Sequence, residues 1–97
     1  MAEVTLHPDA EADYEHALAW YLDRSLPAAD RFEAAFDSAV NAIRANPSTF
    51  PACDPHHRYV LLKRYPFRVI SRIDGDTVRV LAVAHAKRRP GYWSDRA

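Results

Sequence analysis

Two glycines in 97 residues, Gly75 and Gly91, exclude a glycine-rich phosphate-cradling loop, which needs several positions free of a Cβ. The single cysteine, Cys53, excludes an internal disulfide, and a reducing compartment is the default for such a chain. No apolar run approaches the roughly 20 residues that cross a bilayer. Met1-Ala2-Glu3-Val4 lacks the basic-then-apolar order of a secretory leader. A cytoplasmic protein without membrane association is therefore expected. The length predicts one domain spanning residues 1–97. Internal repeats, low-complexity tracts and linkers are also missing.

What is present is a strong separation of charge beneath a formal net charge of zero. Residues 1–55 carry three basic and ten acidic side chains, a balance of −7, and residues 56–97 carry ten basic and three acidic, a balance of +7. Mutual attraction of the two halves is one reading. An excess this local favours the other, a cationic working surface for an anionic partner.

Glu3-Val4-Thr5-Leu6 is a short β-prone run that ends at His7-Pro8. Proline suits a first helical turn, where its missing N–H is not needed. Ala10, Tyr14, Ala17, Leu18 and Tyr21 then recur at helical spacing and predict a helix from Pro8 to Arg24. Ser25-Leu26-Pro27 repeats the cap-and-proline logic, and Ala29, Phe32, Phe36, Ala39, Val40 and Ile43 mark one apolar stripe. Asn46-Pro47 stops this helix, because the residue before proline is pushed out of the α region. So short a link makes the two helices an antiparallel hairpin.

Asn46–His57 reads as loop. Thereafter the period changes to two, predicting strands over Arg58–Tyr65, Phe67–Asp74 and Thr77–Ala86, with a hairpin turn at Asp74-Gly75-Asp76. The tail from Lys87 to Ala97 is basic, aromatic and broken at Pro90-Gly91. The expected class is α+β: an N-terminal strand, a helical hairpin, and a three-stranded antiparallel meander covered on one face by the helices.

A two-residue loop at that turn pairs positions of opposite parity. Phe67, Val69, Ser71 and Ile73 then share the core face with Val78, Val80, Ala82 and Ala84. The opposite face collects Arg68, Ile70 and Arg72 with Thr77, Arg79, Leu81, Val83 and His85. A similar turn at Tyr65-Pro66 adds Lys63 and Tyr59 to this face, and a bulge would break the pattern. Guanidinium forks suit phosphates and carboxylates; the plainer reading is the solvated outer face of a half-buried sheet.

Cys53, Asp54, His56 and His57 are metal-ligand types, but no second ligand pair follows at zinc spacing, so no metal and no cofactor are expected. The aromatics Trp20, Tyr21, Phe32 and Phe36 fall at helical spacing, as core or partner contacts.

Leu62-Lys63-Arg64-Tyr65-Pro66-Phe67-Arg68-Val69-Ile70, followed by Arg72-Ile73-Asp74-Gly75-Asp76, resembles the central hairpin of the RelE/ParE toxins. Val80-Leu81-Ala82-Val83-Ala84-His85 with Arg88-Arg89-Pro90-Gly91-Tyr92-Trp93 looks like that superfamily's last strand and tail. Ala12-Asp13, Trp20-Tyr21, Ala29, Phe32 and Ile43 with Asn46-Pro47 are similar to its helical hairpin, so the resemblance spans the chain. It implies a β-α-α-β-β-β fold and the toxin role in a type II toxin–antitoxin pair. It also implies a cognate antitoxin, encoded by an adjacent gene, that forms a hetero-oligomer with the toxin through Trp20, Tyr21, Phe32 and Phe36.

The resemblance offers two targets. ParE-like members poison DNA gyrase, and here Lys63, Arg72, Arg79, Lys87, Arg88, Arg89 and Trp93 would bind the target. RelE-like members cut messenger RNA on the ribosome; Arg68, His85 and Tyr92 would then be catalytic, with Arg68 on the phosphate and His85 as base. Tyr59 and Leu61 stand where the RelE pattern has lysines, and Ala86 stands where it has an arginine. These departures favour the gyrase-directed reading. A non-toxic remnant that only binds antitoxin is the third possibility.

Overall fold

The computed structural model describes residues 1–97. Strand β1 (Glu3–Leu6) leads into helix α1 (Pro8–Arg24) and helix α2 (Leu26–Ala45). After a single 3-10 turn at Pro47–Thr49 come β2 (Arg58–Leu61), β3 (Phe67–Asp74) and β4 (Thr77–His85). The helix boundaries match the sequence reading. The Nδ1 atom of His7 accepts the Asp9 N–H at 3.0 Å and caps α1 ahead of Pro8. Ser25 serves both helices: its N–H donates to the Tyr21 carbonyl, and its Oγ accepts the Ala28 N–H at 3.3 Å.

The four strands lie in the order β1-β4-β3-β2. β1 joins β4 in parallel, which makes the sheet mixed; the β2-β3-β4 meander is antiparallel as expected. β2 ends at Leu61 rather than at Tyr65, and Arg64 turns the chain there with φ of 70°. The helices cover one face of the sheet. Phe32, Ile43, Val69, Val78 and Val80 are fully buried between the layers. Removal from water of side chains this size stabilises by about 1.5–3 kcal/mol each.

The two-face pattern holds near the hairpin and fails beyond it. Asp74↔Thr77, Ile73↔Val78, Arg72↔Arg79 and Ser71↔Val80 keep the expected parity, but the next partners are Ile70↔Ala82 and Arg68↔Ala84. Leu81 is the extra residue of a β-bulge, and it exchanges the faces of everything after it. Val83 and His85 therefore lie with Val69 and Phe67 on the helix face, whereas Ala82 and Ala84 join Arg68 and Ile70 outside. That outer patch forms a second apolar cluster: Ile70, Ala82 and Ala84 are covered by Trp93 from the tail. The alanines leave the room that an indole ring fills.

Candidate functional site

The bulge creates a problem that the site residues solve. β1 protects the edge of β4 only as far as Val80, whose carbonyl accepts the His7 N–H at 2.8 Å. Beyond it the backbone of Leu81 and Val83 needs other partners. Asp13 of α1 supplies one, its Oδ2 accepting the Val83 N–H at 3.1 Å. Arg96 supplies the other: its Nη1 donates to the Leu81 carbonyl at 2.9 Å and to Asp13 Oδ2 at 2.7 Å. The Tyr92 hydroxyl donates to the same Asp13 oxygen at 3.2 Å. With Asp13 and Arg96 side chains 10% and 15% exposed, this is a nearly buried ion pair that joins helix, strand and tail. Burial, together with the Asp13 charge and its hydrogen bond, pushes the Tyr92 hydroxyl up to about 12.

Arg88 lies over the Tyr92 ring, 3.8 Å from its centroid. His85, Arg88 and Tyr92 form a wall with a hollow on each side. On the helix side, a groove of about 370 Å³ runs between α1 and the end of β4, bordered by Trp20, Tyr21 and Phe67. Trp20 is half exposed, edge-on to Tyr21 at 5.0 Å, with the Arg24 guanidinium 3.7 Å from its ring. On the sheet's outer side, a cleft of about 470 Å³ is bordered by Arg68, Arg88 and Arg89, with Cys53 and Asp54 at its rim. None of these three arginines has a carboxylate within ion-pair distance. Arg68 lies over Tyr59, 4.8 Å from its centroid. The cleft is cationic and aromatic, the chemistry of an anion-binding surface.

The expected basic face divides accordingly. Arg68 lines the cleft. Arg72 donates to Asp74 at 3.0–3.2 Å and to the Ala97 carbonyl at 2.9 Å, and the guanidinium holds the Asp74 carboxyl below its ordinary value. Arg79 pairs with Arg72 across the strands, away from the cleft. Lys63 sits in the turn after β2 and faces a groove beside α2 instead. Lys87 is exposed at the start of the tail.

Among the candidate catalytic residues, Arg68, His85 and Tyr92 all border the cleft. His85 Nδ1 accepts the Lys87 N–H at 3.0 Å, and its ring stands edge-on to Phe67 at 5.0 Å. Of the four candidate antitoxin contacts, only Trp20 and Tyr21 border the helix-side groove. Phe32 and Phe36 are 0% and 7% exposed and pack against Tyr14 in the core. Trp93 is 7% exposed and belongs to the second cluster, where it lines the cleft from below.

Sequence reasoning gave no role to Arg96, named Asp13 only within the helical pattern, and weighed Asp54 and His57 only as metal-ligand types. Asp13 lay in view, three residues after buried Ala10 and four before buried Ala17. A carboxylate on that stripe requires a buried cation or donor. Asp54 accepts the His56 and His57 amides and His57 Nδ1, all at 2.8 Å. Burial opposes the charge, but these donors prevail and hold the Asp54 carboxyl below its ordinary value. His57 in turn packs edge-on against Trp93 at 4.8 Å, so the loop pins the tail from the other side.

Fold and site together define a small α+β protein with a cationic cleft, and comparison with known proteins supplies its class. The family described as "ParE toxin of type II toxin-antitoxin system, parDE" matches residues 4–90, and the chain belongs to it: it is the toxin component of a type II toxin–antitoxin system, neutralised by an antitoxin. Among curated relatives it is 27% identical over 86 residues to Toxin ParE2 of Mycobacterium tuberculosis, from strains CDC 1551 / Oshkosh and H37Rv. That alignment covers 88% of this chain and 82% of the relative. Among solved structures, a chain of the chromosomal ParDE system from P. aeruginosa superposes with a TM-score of 0.77 at 20% identity, covering 90% of this chain and 98% of that one. At such identity the superposition speaks for the fold.

Proposed function

We propose that this toxin acts in the cytoplasm on DNA gyrase, through the basic cleft and the Lys87–Arg89 segment, as a binder and not as a nuclease. The observation that carries this reading is the occupancy of the atoms a nuclease would need. A neutral imidazole has one lone-pair nitrogen, and in His85 the Nδ1 lone pair is engaged by the Lys87 amide. The Tyr92 proton is directed at Asp13 and held up to about 12, far from the neutral range a proton donor or acceptor requires. The unpaired guanidinium groups of Arg68, Arg88 and Arg89 remain free to grip an acidic protein surface or a phosphate. The antitoxin, encoded next to the toxin, covers the groove at Trp20 and Tyr21 and forms a hetero-oligomer with it.

The messenger-cleaving alternative has one observation in its favour, the shared border of Arg68, His85 and Tyr92 on a single cleft. Induced expression separates the two. Filamentation with an SOS response, and inhibition of purified gyrase that is lost in Arg68→Ala/Arg88→Ala, support the binder. Immediate arrest of translation, with ribosome-dependent messenger cleavage lost in His85→Gln, would overturn it.

A further inference from the structure

On the helix side of the sheet, α2 and the edge strand β2 do not close against each other. A shallow groove of about 920 Å³ lies between them. Its floor is apolar and small, with Ala35 and Ala39 on the helix and Val60 on the strand. The Tyr65 hydroxyl donates to the Ala28 carbonyl at 3.1 Å and ties the two walls together at one end. From Ala28 to Ala42 the helix wall runs about 21 Å, at 1.5 Å per residue. A run of about six residues in extended conformation spans that length.

Three features of the rim specify what would fill it. The first is Leu61, an aliphatic side chain left 64% exposed at the end of β2. The second is an open sheet edge. The Leu62 N–H donates inward to the Phe67 carbonyl, and the Tyr59 N–H donates outward to the Pro51 carbonyl. Alternation therefore directs the Leu61 N–H and C=O outward, where the loop that covers Tyr59 no longer reaches. Edge groups of this kind are a template for another strand. The third is charge: Arg31, Lys63 and Arg64 all line this groove, and none has an acidic side chain within ion-pair distance.

We propose that the α2–β2 groove is a docking site for an extended segment of a partner protein, apolar and acidic at alternate positions. The segment adds to the edge of β2 beyond Pro51. Its backbone bonds Leu61, its apolar side chains rest on the alanine floor, and its carboxylates meet Arg31, Lys63 and Arg64. Strand addition of this type takes affinity from main-chain hydrogen bonds and specificity from alternate side chains. The charge pattern selects an acidic strand over a basic one. The proposal is independent of the toxin's target, because the groove shares no residue with the basic cleft or the Trp20 groove.

The test uses the full-length protein, isotopically labelled, and a synthetic peptide of alternating valine and glutamate. The amide resonances of Val60, Leu61 and Leu62 should shift on titration, and the affinity should fall as salt rises. Lys63→Glu/Arg64→Glu, two exposed positions whose exchange leaves the core intact, should weaken binding at least tenfold. A valine–lysine peptide should not bind to the wild type, and should bind to the charge-reversed protein. Shifts confined to the residues around Arg68 and Arg88, or affinity unchanged by the charge reversal, would overturn the proposal. So would displacement of the peptide by a single-stranded oligonucleotide, which would make the groove a polyanion site. A concentration-dependent dimer in sedimentation that Leu61→Asp abolishes would assign the face to a second copy of the chain and would equally overturn it.

Discussion

Removing Asp13 tests the account of how the tail is held. Asp13 Oδ2 accepts three hydrogen bonds, from the Val83 amide, the Tyr92 hydroxyl and the Arg96 guanidinium, at 3.1, 3.2 and 2.7 Å. Asp13→Ala leaves the Arg96 guanidinium, whose side chain is 15% exposed, with only the exposed Asp9 carboxylate 3.9 Å away as counter-charge. It also leaves a bulged strand amide without an acceptor. Breaking a buried ion pair by deleting one partner costs about 3–5 kcal/mol, a large share of the roughly 5–15 kcal/mol that holds a domain of this size folded. In thermal terms the loss is a fall in Tm of roughly 12–40 °C. Asp13→Asn keeps an acceptor for Val83 but discards the charge, and should cost about 1.5–3 kcal/mol. Urea denaturation followed by circular dichroism measures both. The decisive comparison is Asp13→Ala/Arg96→Met: with the stranded guanidinium gone, the double variant should be less unstable than the sum of the single variants by about 1 kcal/mol or more. A loss under about 1 kcal/mol in Asp13→Ala, or strict additivity in the cycle, would refute the ion pair as the clasp of the tail.

Truncation after Ala86 should unfold the protein instead of merely blunting toxicity, since it removes Trp93 and Arg96 together; a melting curve of the truncated chain, compared with Trp93→Ala at about 3–5 kcal/mol of lost stability, checks this. Tyr14, raised chiefly by burial and then by Glu33 and Asp37, and Tyr92 both ionise at about 12. Because the folded values exceed the ordinary 10.0, these groups contribute stability that is complete below pH 10 and is lost as the pH rises towards 12. An ultraviolet titration of phenolate should show Tyr14 and Tyr92 ionising last, with Tyr21 also raised by burial, and Tyr92→Phe should lose one of the two last steps and unfold less steeply in alkali. Arg68→Ala/Arg88→Ala should weaken target binding more at low salt than at high salt, because the exposed guanidinium groups act through a screened field; salt-independent loss would mean a structural defect instead.

The elements of the fold were legible because their signals are local. Ser25 and Pro27 start α2 wherever the rest of the chain lies, and Asp74-Gly75-Asp76 turns by its own backbone preferences. The position of His85 was not legible. It depends on Leu81, a residue of ordinary strand type whose extra place in the ladder is decided by what flanks it: Asp13 and Arg96, separated from it by 68 and 15 residues. The tail was misread for a related reason. Its proline, glycine and charges describe a surface segment, and only the two alanines at positions 82 and 84, turned outward by the bulge, reveal a seat for Trp93. Phe32 and Phe36 satisfied the apolar stripe so well that their burial in the core leaves only Trp20 and Tyr21 at the groove. Charge segregation proved informative in a narrower way. Arg72 and Arg96 are consumed by Asp74 and Asp13, and six cations without a carboxylate partner line two separate hollows: Arg68, Arg88 and Arg89 in one, Arg31, Lys63 and Arg64 in the other.

The Asp13–Arg96 clasp also orders events in time. Arg96 follows its partner, on the first helix, by 83 residues. A ribosome adding about 5–20 residues per second therefore finishes both helices well before the residue that closes the clasp exists outside the exit tunnel. During that interval the helical hairpin and Trp20 are already in the cell, while the β4 edge, the Arg88–Tyr92 wall and the cleft behind it have yet to be built. The cleft is therefore completed late in synthesis, after the helical surface at Trp20 where the proposed antitoxin contact lies.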